Sequence, residues 1–326
     1  MPWLADLESM LNICQFNMGV PILSYIVPVY NTAVWLKECA DSLLSHAGNN
    51  VEFIFIDDGS TDESPKILDE YAGSDNRIKV IRQKNMGLSA SRNIGLKSAR
   101  GKYVLFIDSD DYIDSKSVQR MLNSAKKHNA DVVTGCVTCV NEVSTMKKWG
   151  QSLIPAVYST GIDFLHNMYQ SSSYVPMVFN YLVKRDLLTR FGLTFTIGIL
   201  HEDELWTPQV LIRATNVVVT NENHYFYRIN RPGSIMSTKK TVERIISLGH
   251  ITRSLWHEVM LISKGDCYES ILKVFPFLQM RFIVFYAIIQ NLLANKNDDT
   301  NLICQFMRGH CMAINHFIRN STANMS

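Results

Sequence analysis

The chain has 326 residues, enough to bury one large core or a main domain with a helical extension. Lysine and arginine total 32 and aspartate and glutamate total 30, so the near-neutral charge excludes a broad basic surface for DNA or RNA. The cysteines number 7 and are scattered, which favours reduced thiols in a cytoplasm. No secretory signal is predicted, because the N-terminus lacks a basic stretch followed by an apolar core.

The first half of the chain alternates between predicted strands and predicted helices. Apolar residues at helical spacing first predict a short helix within residues 1–17. The next elements are a strand at Leu23–Val27, a helix capped by Thr32 and running to about His46, a strand at Val51–Ile56 and a helix from Thr61 toward Ala72. They are followed by a strand at Ile78–Ile81, a helix at Leu88–Ala99 that Gly101 ends in the left-handed conformation, a strand at Tyr103–Ile107 and a helix at Lys116–His128. This alternation predicts an α/β fold with a doubly wound, mostly parallel sheet and helices on both faces.

The second half of the chain is less regular. A helix is predicted at Gly161–Gln170, and from Thr241 the apolar spacing is largely helical to about Ile318. Polar residues interrupt the apolar stretch Val274–Leu293, which makes it a poor membrane span. The predicted organisation is an N-terminal extension (1–20), a main domain (21–240) whose two halves meet near residue 130, and a C-terminal helical region (241–326).

Two clusters of acidic residues follow predicted strands. Asp57 and Asp58 come after the second strand, and Asp108, Asp110 and Asp111 come after the fourth. Ligands of an open parallel sheet bind outside the carboxyl ends of its strands. Helix capping is the alternative explanation, but capping does not need five carboxylates whose mutual repulsion opposes ionisation. A divalent cation would relieve that repulsion, because Mg²⁺ and Mn²⁺ prefer carboxylate oxygens.

The tripeptide Asp108-Ser109-Asp110 is the predicted metal cluster. Alternating side chains at a strand end let one acid reach a ribose and the next reach the ion, which would bridge the two phosphates of a nucleotide diphosphate. A DxD tripeptide alone is common by chance. Its place at a predicted strand end, about fifty residues after another acidic strand end, strengthens the prediction.

A series of short motifs covers about residues 21–115. In chain order they are Ile26-Val27-Pro28-Val29-Tyr30-Asn31, Asp57-Asp58-Gly59-Ser60-Thr61-Asp62, Asn85-Met86-Gly87, Ala90-Ser91-Arg92-Asn93 with Gly95, Gly101-Lys102-Tyr103 and Phe106-Ile107-Asp108-Ser109-Asp110-Asp111. In their order and spacing these motifs resemble those of family 2 glycosyltransferases with the GT-A fold. The resemblance implies an inverting hexosyltransferase-type enzyme that uses Mn²⁺ or Mg²⁺ to move a sugar from a nucleotide diphosphate.

The resemblance also implies where the nucleotide binds. Pro28, Tyr30 and Asn31 would hold the base and ribose, together with Asp58. Tyr30 can stack on uracil and Asp58 can accept the ring N–H, which favours a UDP-sugar donor. Arg92 resembles the family's arginine near the nucleotide, and a solvated charge on a helix face is the alternative.

The pair Glu202-Asp203 resembles the family's acidic pair at the start of a helix. By this resemblance Asp203, rather than Glu202, is the base that takes the proton from the acceptor hydroxyl. The alternative is that both acids only complement a helix dipole. Later in the chain, Arg228 or Arg231 is predicted to contact oxygens of the diphosphate.

Other classes of protein are weighed against this one. A sugar-nucleotide nucleotidyltransferase also has an α/β sheet and metal-binding acids, but its Gly-rich basic loop would stand where Pro28–Asn31 stands. A dinucleotide-binding dehydrogenase needs a Gly-rich turn that the chain lacks. A non-catalytic sugar-nucleotide-binding assembly protein has no need of the intact acids Asp108, Asp110 and Asp203.

The expected partners follow from the same resemblance. The acceptor would be a carbohydrate or a lipid-linked glycan in capsule, exopolysaccharide or lipopolysaccharide assembly, and no nucleic acid is expected. The expected location is the cytoplasm, at the inner face of the cell membrane. The C-terminal helical region is expected to associate only peripherally with membranes or another chain. The alternative is that the apolar stretch around Phe275 to Leu293 buries against the main domain.

Overall fold

The computed structural model describes residues 19–48, 50–140, 145–149, 154–229, 241–263 and 273. The helix predicted within residues 1–17, the apolar stretch Val274–Leu293 and the candidate phosphate ligand Arg231 lie outside these residues. The boundaries of the extension, main domain and helical region stay predictions.

The first half of the sheet is parallel, as the alternation predicts. Its elements are β1 (Leu23–Val29), α1 (Ala33–Leu44), β2 (Val51–Asp57), α2 (Ser64–Ser74), β3 (Ile78–Arg82), α3 (Leu88–Ser98) and β4 (Tyr103–Phe106). The strands lie in the order β3-β2-β1-β4, and β1 pairs with both β2 and β4 in parallel. Every residue of β1 and β2 is buried, as expected for central strands of a covered parallel sheet.

The second half continues the same sheet with mixed strand directions. Its elements are β5 (Tyr112–Ile113), α4 (Ser115–Lys127), β6 (Val132–Val140), β7 (Thr145–Trp149), β8 (Ala156–Tyr158), α5 (Gly161–Gln170), β9 (Tyr181–Lys184), α6 (Arg185–Arg190), α7 (Asp203–Arg213), β10 (Val217–Arg228) and α8 (Thr241–Ser263). The order runs β4-β9-β6-β10-β5, with β9 antiparallel to β4 and β6 while β10 is parallel to β6. The parallel prediction therefore holds for β1 to β4, and the sheet as a whole is mixed.

Two local predictions are wrong for physical reasons. Thr32 precedes α1 but does not cap it with its side chain; its hydroxyl bonds Ser109 Oγ at 2.9 Å, and Asp62 accepts the amide of Ala33 instead. Gly101 does not adopt the left-handed conformation. It is required by close approach, because a Cβ there would lie 2.6 Å from the backbone nitrogen of Ser24.

Helix α8 packs against the main domain. Arg213 of α7 pairs with Glu258 of α8 at 2.6 Å, and the amide of Leu200 donates to Ser247 Oγ at 2.9 Å. The stretch around Phe275 to Leu293, for which burial against the main domain is the alternative, lies outside the described residues. Within the described ranges, no helix combines the length and apolar character needed to cross a membrane.

Candidate active site

The carboxyl ends of β1 and β2 are joined by Asn31. Its amide donates to Ser60 Oγ at 3.2 Å and its side-chain oxygen accepts the amide of Thr61 at 2.8 Å. A φ of 51° places Asn31 in the left-handed region, where asparagine is favoured. The predicted nucleotide ligands Pro28 and Tyr30 flank this junction: Pro28 is buried, whereas Tyr30 is 49 % exposed and offers an open ring face.

Asp58 is buried and organises the turn that begins α3. Its carboxylate accepts the amides of Met86 and Gly87, both at 2.8 Å, and the Gln83 side-chain amide at 2.6 Å. Carboxylate oxygens offer about four acceptor positions, so one stays available for a further donor. The bond from Asp58 to the ring N–H of a base stays a prediction, and it would use that position.

The acidic turn after β4, which we define as residues 108–111, holds three carboxylates. Asp111 is almost fully buried and accepts the hydroxyl of Tyr225 and the amide of Arg228, both at 2.7 Å. Burial raises the pKa of Asp111 well above its ordinary value, and the negative charges of Asp110 and Asp108 raise it further. The turn therefore concentrates negative charge, as expected for a cation site.

The donor set of the acidic turn fits a hard divalent cation. In the described ranges no group of three His, Cys, Asp or Glu side chains is arranged to hold a metal ion. Mg²⁺ is nevertheless usually bound by one or two carboxylates together with substrate phosphates. Asp110 and Asp108 can supply those carboxylates, and the repulsion that raises the pKa of Asp111 is what a cation would relieve.

Arg92 connects the acidic turn to the acidic pair at the start of α7. It is only 3 % exposed; one end of its guanidinium donates to Asp108 Oδ1 at 2.8 Å and the other end donates to Glu202. The guanidinium also lies 5.4 Å from the centre of the Phe195 ring. Burial opposes the charge, but Asp108 and Glu202 outweigh it and hold the pKa of Arg92 above its ordinary value.

These contacts decide between the two interpretations of Arg92. A solvated charge on a helix face is wrong, because the side chain is buried between carboxylates from two parts of the chain. Direct contact with the nucleotide stays a prediction. Asn93, the next residue of α3, makes two hydrogen bonds of 2.8 Å with the backbone of Phe195. These bonds hold Phe195, whose ring lies beside the guanidinium of Arg92.

Asp203, the predicted base, has a raised pKa. Burial raises the pKa of Asp203 to about 7, with further contributions from Glu202 and Glu204 and an opposing one from Arg92. A carboxylate that only complemented a helix dipole would have a lowered pKa, so the direction of the shift favours the base over dipole complementation. The catalytic role of Asp203 stays a prediction. Glu202 is paired with Arg92, which leaves Asp203 as the better candidate of the two.

The raised pKa of Asp203 predicts a stability effect with a definite sign. Protonation of Asp203 contributes stability that is full below the ordinary pKa of 3.8 and lost as pH rises through about 7. Asp203→Asn cannot ionise, so it should unfold with a higher free energy than the unaltered protein, and the gain should grow from about pH 4 to about pH 7 and level off above that. Urea titrations across this range measure the difference.

Asp131→Asn is the control of opposite sign. Burial opposes ionisation of Asp131, but bonds from Thr215 and Lys184 lower its pKa below the ordinary value. Its ionised form therefore contributes stability above the unfolded-state pKa, and the variant should be destabilised near neutral pH, with the loss shrinking as pH falls through the folded-state pKa. If the gain in the free energy of unfolding of Asp203→Asn were constant with pH, the explanation by a raised pKa of Asp203 would be wrong.

Arg228 lies beside the acidic turn. Its amide is held by Asp111, while its guanidinium pairs with Glu38 of α1 and lies 5.1 Å from the centre of the Tyr112 ring. Contact between Arg228 and a diphosphate stays a prediction. The long-range contacts of Glu38, Asp111 and Tyr225 were not predicted, since nothing in the local sequence indicates contacts with residues far along the chain.

The fold and the site together define a glycosyltransferase of the GT-A type. The model of Glycosyl transferase family 2 matches residues 24–187, and the chain belongs to this family. It is 35 % identical over 220 residues to glycosyltransferase GlyA of Streptococcus pneumoniae, an alignment that covers 65 % of this chain and 31 % of GlyA. Membership of the family favours this class over the nucleotidyltransferase and dehydrogenase alternatives.

Two further comparisons agree with this assignment. The chain is 31 % identical to poly(ribitol-phosphate) beta-glucosyltransferase of Bacillus spizizenii over 66 % of its own length and 33 % of that protein. The chain thus spans about a third of either relative. Residues 1–349 of Staphylococcus aureus TarS, solved in complex with UDP-GlcNAc, superpose with a TM-score of 0.60 at 24 % identity, covering 71 % of this chain and 66 % of TarS 1–349. That likeness supports the fold.

Proposed function

We propose that the chain transfers a sugar, with inversion, from a UDP-sugar to a hydroxyl group of a carbohydrate or lipid-linked glycan acceptor. The observation that carries the proposal is the partly exposed Asp203, whose carboxyl group has a pKa of about 7. Asp203 lies next to Glu202, which Arg92 connects to Asp108 of the acidic turn through two ion pairs; we call this connection the Arg92 bridge. A group with this pKa can take a proton near neutral pH and release it again. A non-catalytic sugar-binding protein would not need such a carboxylate.

The two ends of the Arg92 bridge are proposed to serve different parts of the reaction: the acceptor at Asp203 and the diphosphate at the acidic turn. Asp203 removes the proton of the acceptor hydroxyl, and the oxygen then attacks the anomeric carbon as the bond to the diphosphate breaks. Glu202 is instead engaged in an ion pair with Arg92. A divalent cation bound by Asp110 and Asp108 would neutralise charge on the departing diphosphate. Attack opposite the leaving group inverts the anomeric centre, so an α-linked donor gives a β-linked product.

Uridine is the proposed base, and a polymer or its lipid-linked precursor is the proposed acceptor class. The exposed ring of Tyr30 can stack on a pyrimidine, and the available acceptor position of Asp58 suits the uracil ring N–H. TarS was solved with UDP-GlcNAc, and the Bacillus relative is named for a polyol-phosphate polymer. These names support a role in assembly of a polysaccharide, and the proposed location of that assembly is the cytoplasmic face of the membrane.

Ligand-dependent melting tests the nucleotide and the cation together. UDP with Mn²⁺ at about 100 times its Kd should stabilise the protein by about 2.7 kcal/mol, and ADP with Mn²⁺ should not stabilise it. EDTA should remove most of the UDP effect. Asp110→Asn should lose the Mn²⁺-dependent part, because one of the two proposed carboxylate ligands is gone.

Asp69→Asn is the matched control, because Asp69 is an exposed aspartate paired with Arg82 away from the acidic turn. It should respond to UDP and Mn²⁺ as the unaltered protein does. Equal stabilisation by ADP would remove the uracil assignment to Tyr30 and Asp58. An Asp110→Asn variant with an unchanged Mn²⁺ effect would remove the metal assignment. A screen of UDP-sugars for acceptor-dependent UDP release then identifies the donor.

A further inference from the structure

The hydroxyl of Tyr225 connects two parts of the chain that the proposed reaction needs. It donates to Asp111 Oδ2 at 2.7 Å and accepts the amide of Asp108 at 3.2 Å. Asp111 in turn accepts the amide of Arg228 at 2.7 Å. One buried hydroxyl and one buried carboxylate therefore join the first residue of the acidic turn to the last residue of β10.

The position of this hydroxyl is fixed by packing. Tyr225 is fully buried, and its ring stacks on Phe179 with the ring centres 4.0 Å apart and the planes 4° apart. The strand that carries Tyr225 pairs with β5, which directly follows the acidic turn. The hydroxyl therefore has little freedom to move, and its hydrogen bond with the amide of Asp108 fixes that amide relative to β10.

We propose that Tyr225 and Asp111 are positioning residues that hold the acidic turn and Arg228 in one register, so that a donor diphosphate meets both at once. The inference rests on the proposed function, because it concerns binding of a UDP-sugar. Neither residue is assigned a contact with substrate. Their effect should fall on the affinity for nucleotide diphosphate rather than on the chemical step, which belongs to Asp203.

Tyr225→Phe is the first test, because it removes only the hydroxyl and keeps the ring on Phe179. The variant leaves two buried groups without a partner, and the Kd for UDP with Mn²⁺ should rise about tenfold while kcat at saturating donor changes by less than about threefold. Tyr103→Phe is the matched control. Tyr103 is equally buried and its hydroxyl donates to the Ala125 carbonyl at 3.2 Å, away from the turn, so its loss should leave Kd unchanged.

Asp111→Asn gives an independent test that holds even if Tyr225→Phe folds poorly. An asparagine keeps the shape, but its amide nitrogen cannot accept a hydrogen bond, so one of the two bonds that Asp111 accepts from Tyr225 and Arg228 is lost. If Asp111 acts by positioning, UDP should bind more weakly in EDTA as well as in Mn²⁺. Calorimetric titration of UDP measures both conditions.

The outcomes separate this inference from the proposed function. Weaker UDP binding by both variants, with the Tyr103→Phe control unchanged, supports the inference. If the unaltered protein binds UDP and the two variants bind it equally well or more tightly, the positioning role is wrong and the proposed function stands. If the unaltered protein binds no UDP, the proposed function fails, and this inference fails with it.

Discussion

Replacing Asp203 by asparagine should lower kcat by about two to four orders of magnitude, the range expected for losing a general base. The Kd for UDP with Mn²⁺ should stay nearly unchanged, because Asp203 lies at the start of α7 and is proposed to act only on the acceptor hydroxyl. In the unaltered enzyme the base must be ionised, so activity should fall as pH drops below the Asp203 pKa of about 7. Turnover assays and calorimetric titration of the donor measure the two quantities separately.

Glu204→Gln is the matched control for Asp203→Asn. It removes a carboxylate from the same first turn of α7, but Glu204 is not proposed to touch the acceptor. Because the charge of Glu204 contributes to the raised pKa of Asp203, the control should shift the acidic limb of the pH profile slightly downward and keep most of the turnover. Near-normal transfer by Asp203→Asn would remove it as the base and make Glu202 the next candidate.

Replacing Arg92 by glutamine should cost about 3–5 kcal/mol of stability, the range measured when one partner of a buried ion pair is removed. The largely buried Glu202 and the partly exposed Asp108 would both lose the cation that they share. The same change should move the acidic limb of kcat/KM to higher pH, because the charge of Arg92 lowers the pKa of Asp203. Urea unfolding and a pH–rate profile check the two effects independently.

Arg190→Gln is the control for Arg92→Gln. Arg190 pairs with Asp186 on α6, and both side chains are mostly exposed. Surface pairs of this kind contribute about 0–1 kcal/mol to stability, so Arg190→Gln should lower the free energy of unfolding by no more than that. It should leave the pH profile of kcat/KM unchanged. If Arg92→Gln were no more destabilising than Arg190→Gln, the bridge between the acidic turn and α7 would not hold the site together.

The parallel half of the fold could be predicted because its signals are local. Apolar runs bounded by turn residues indicated the four parallel strands, and the acids after two of them indicated the ligand edge of the sheet. Boundaries differed by one to three residues, for example at β1, which continues to Val29, and at α2, which begins at Ser64 rather than Thr61. Helix α5 matched its prediction of Gly161–Gln170 at both ends.

The rest could not be predicted from local signals. Nothing in the sequence around Tyr225 indicates a bond to Asp108, because the two residues are 117 positions apart. The strand order β4-β9-β6-β10 likewise depends on pairings between distant segments. Thr32 and Gly101 show a subtler failure: the residue types suited capping and a left-handed turn, but tertiary neighbours at Ser109 and Ser24 determined their roles.

The bridge through Arg92 also has a consequence for folding. Arg92 and Glu202 are 110 residues apart, and Asp111 and Tyr225 are 114 residues apart. Long-range contacts of this kind form late, because the entropy of closing the intervening chain must be overcome first. During synthesis at about 5–20 residues per second, Glu202 emerges roughly 6–22 s after Arg92. For that interval Arg92 lacks its second carboxylate partner, and Tyr225 and Arg228, which are proposed to serve the diphosphate, are made later still.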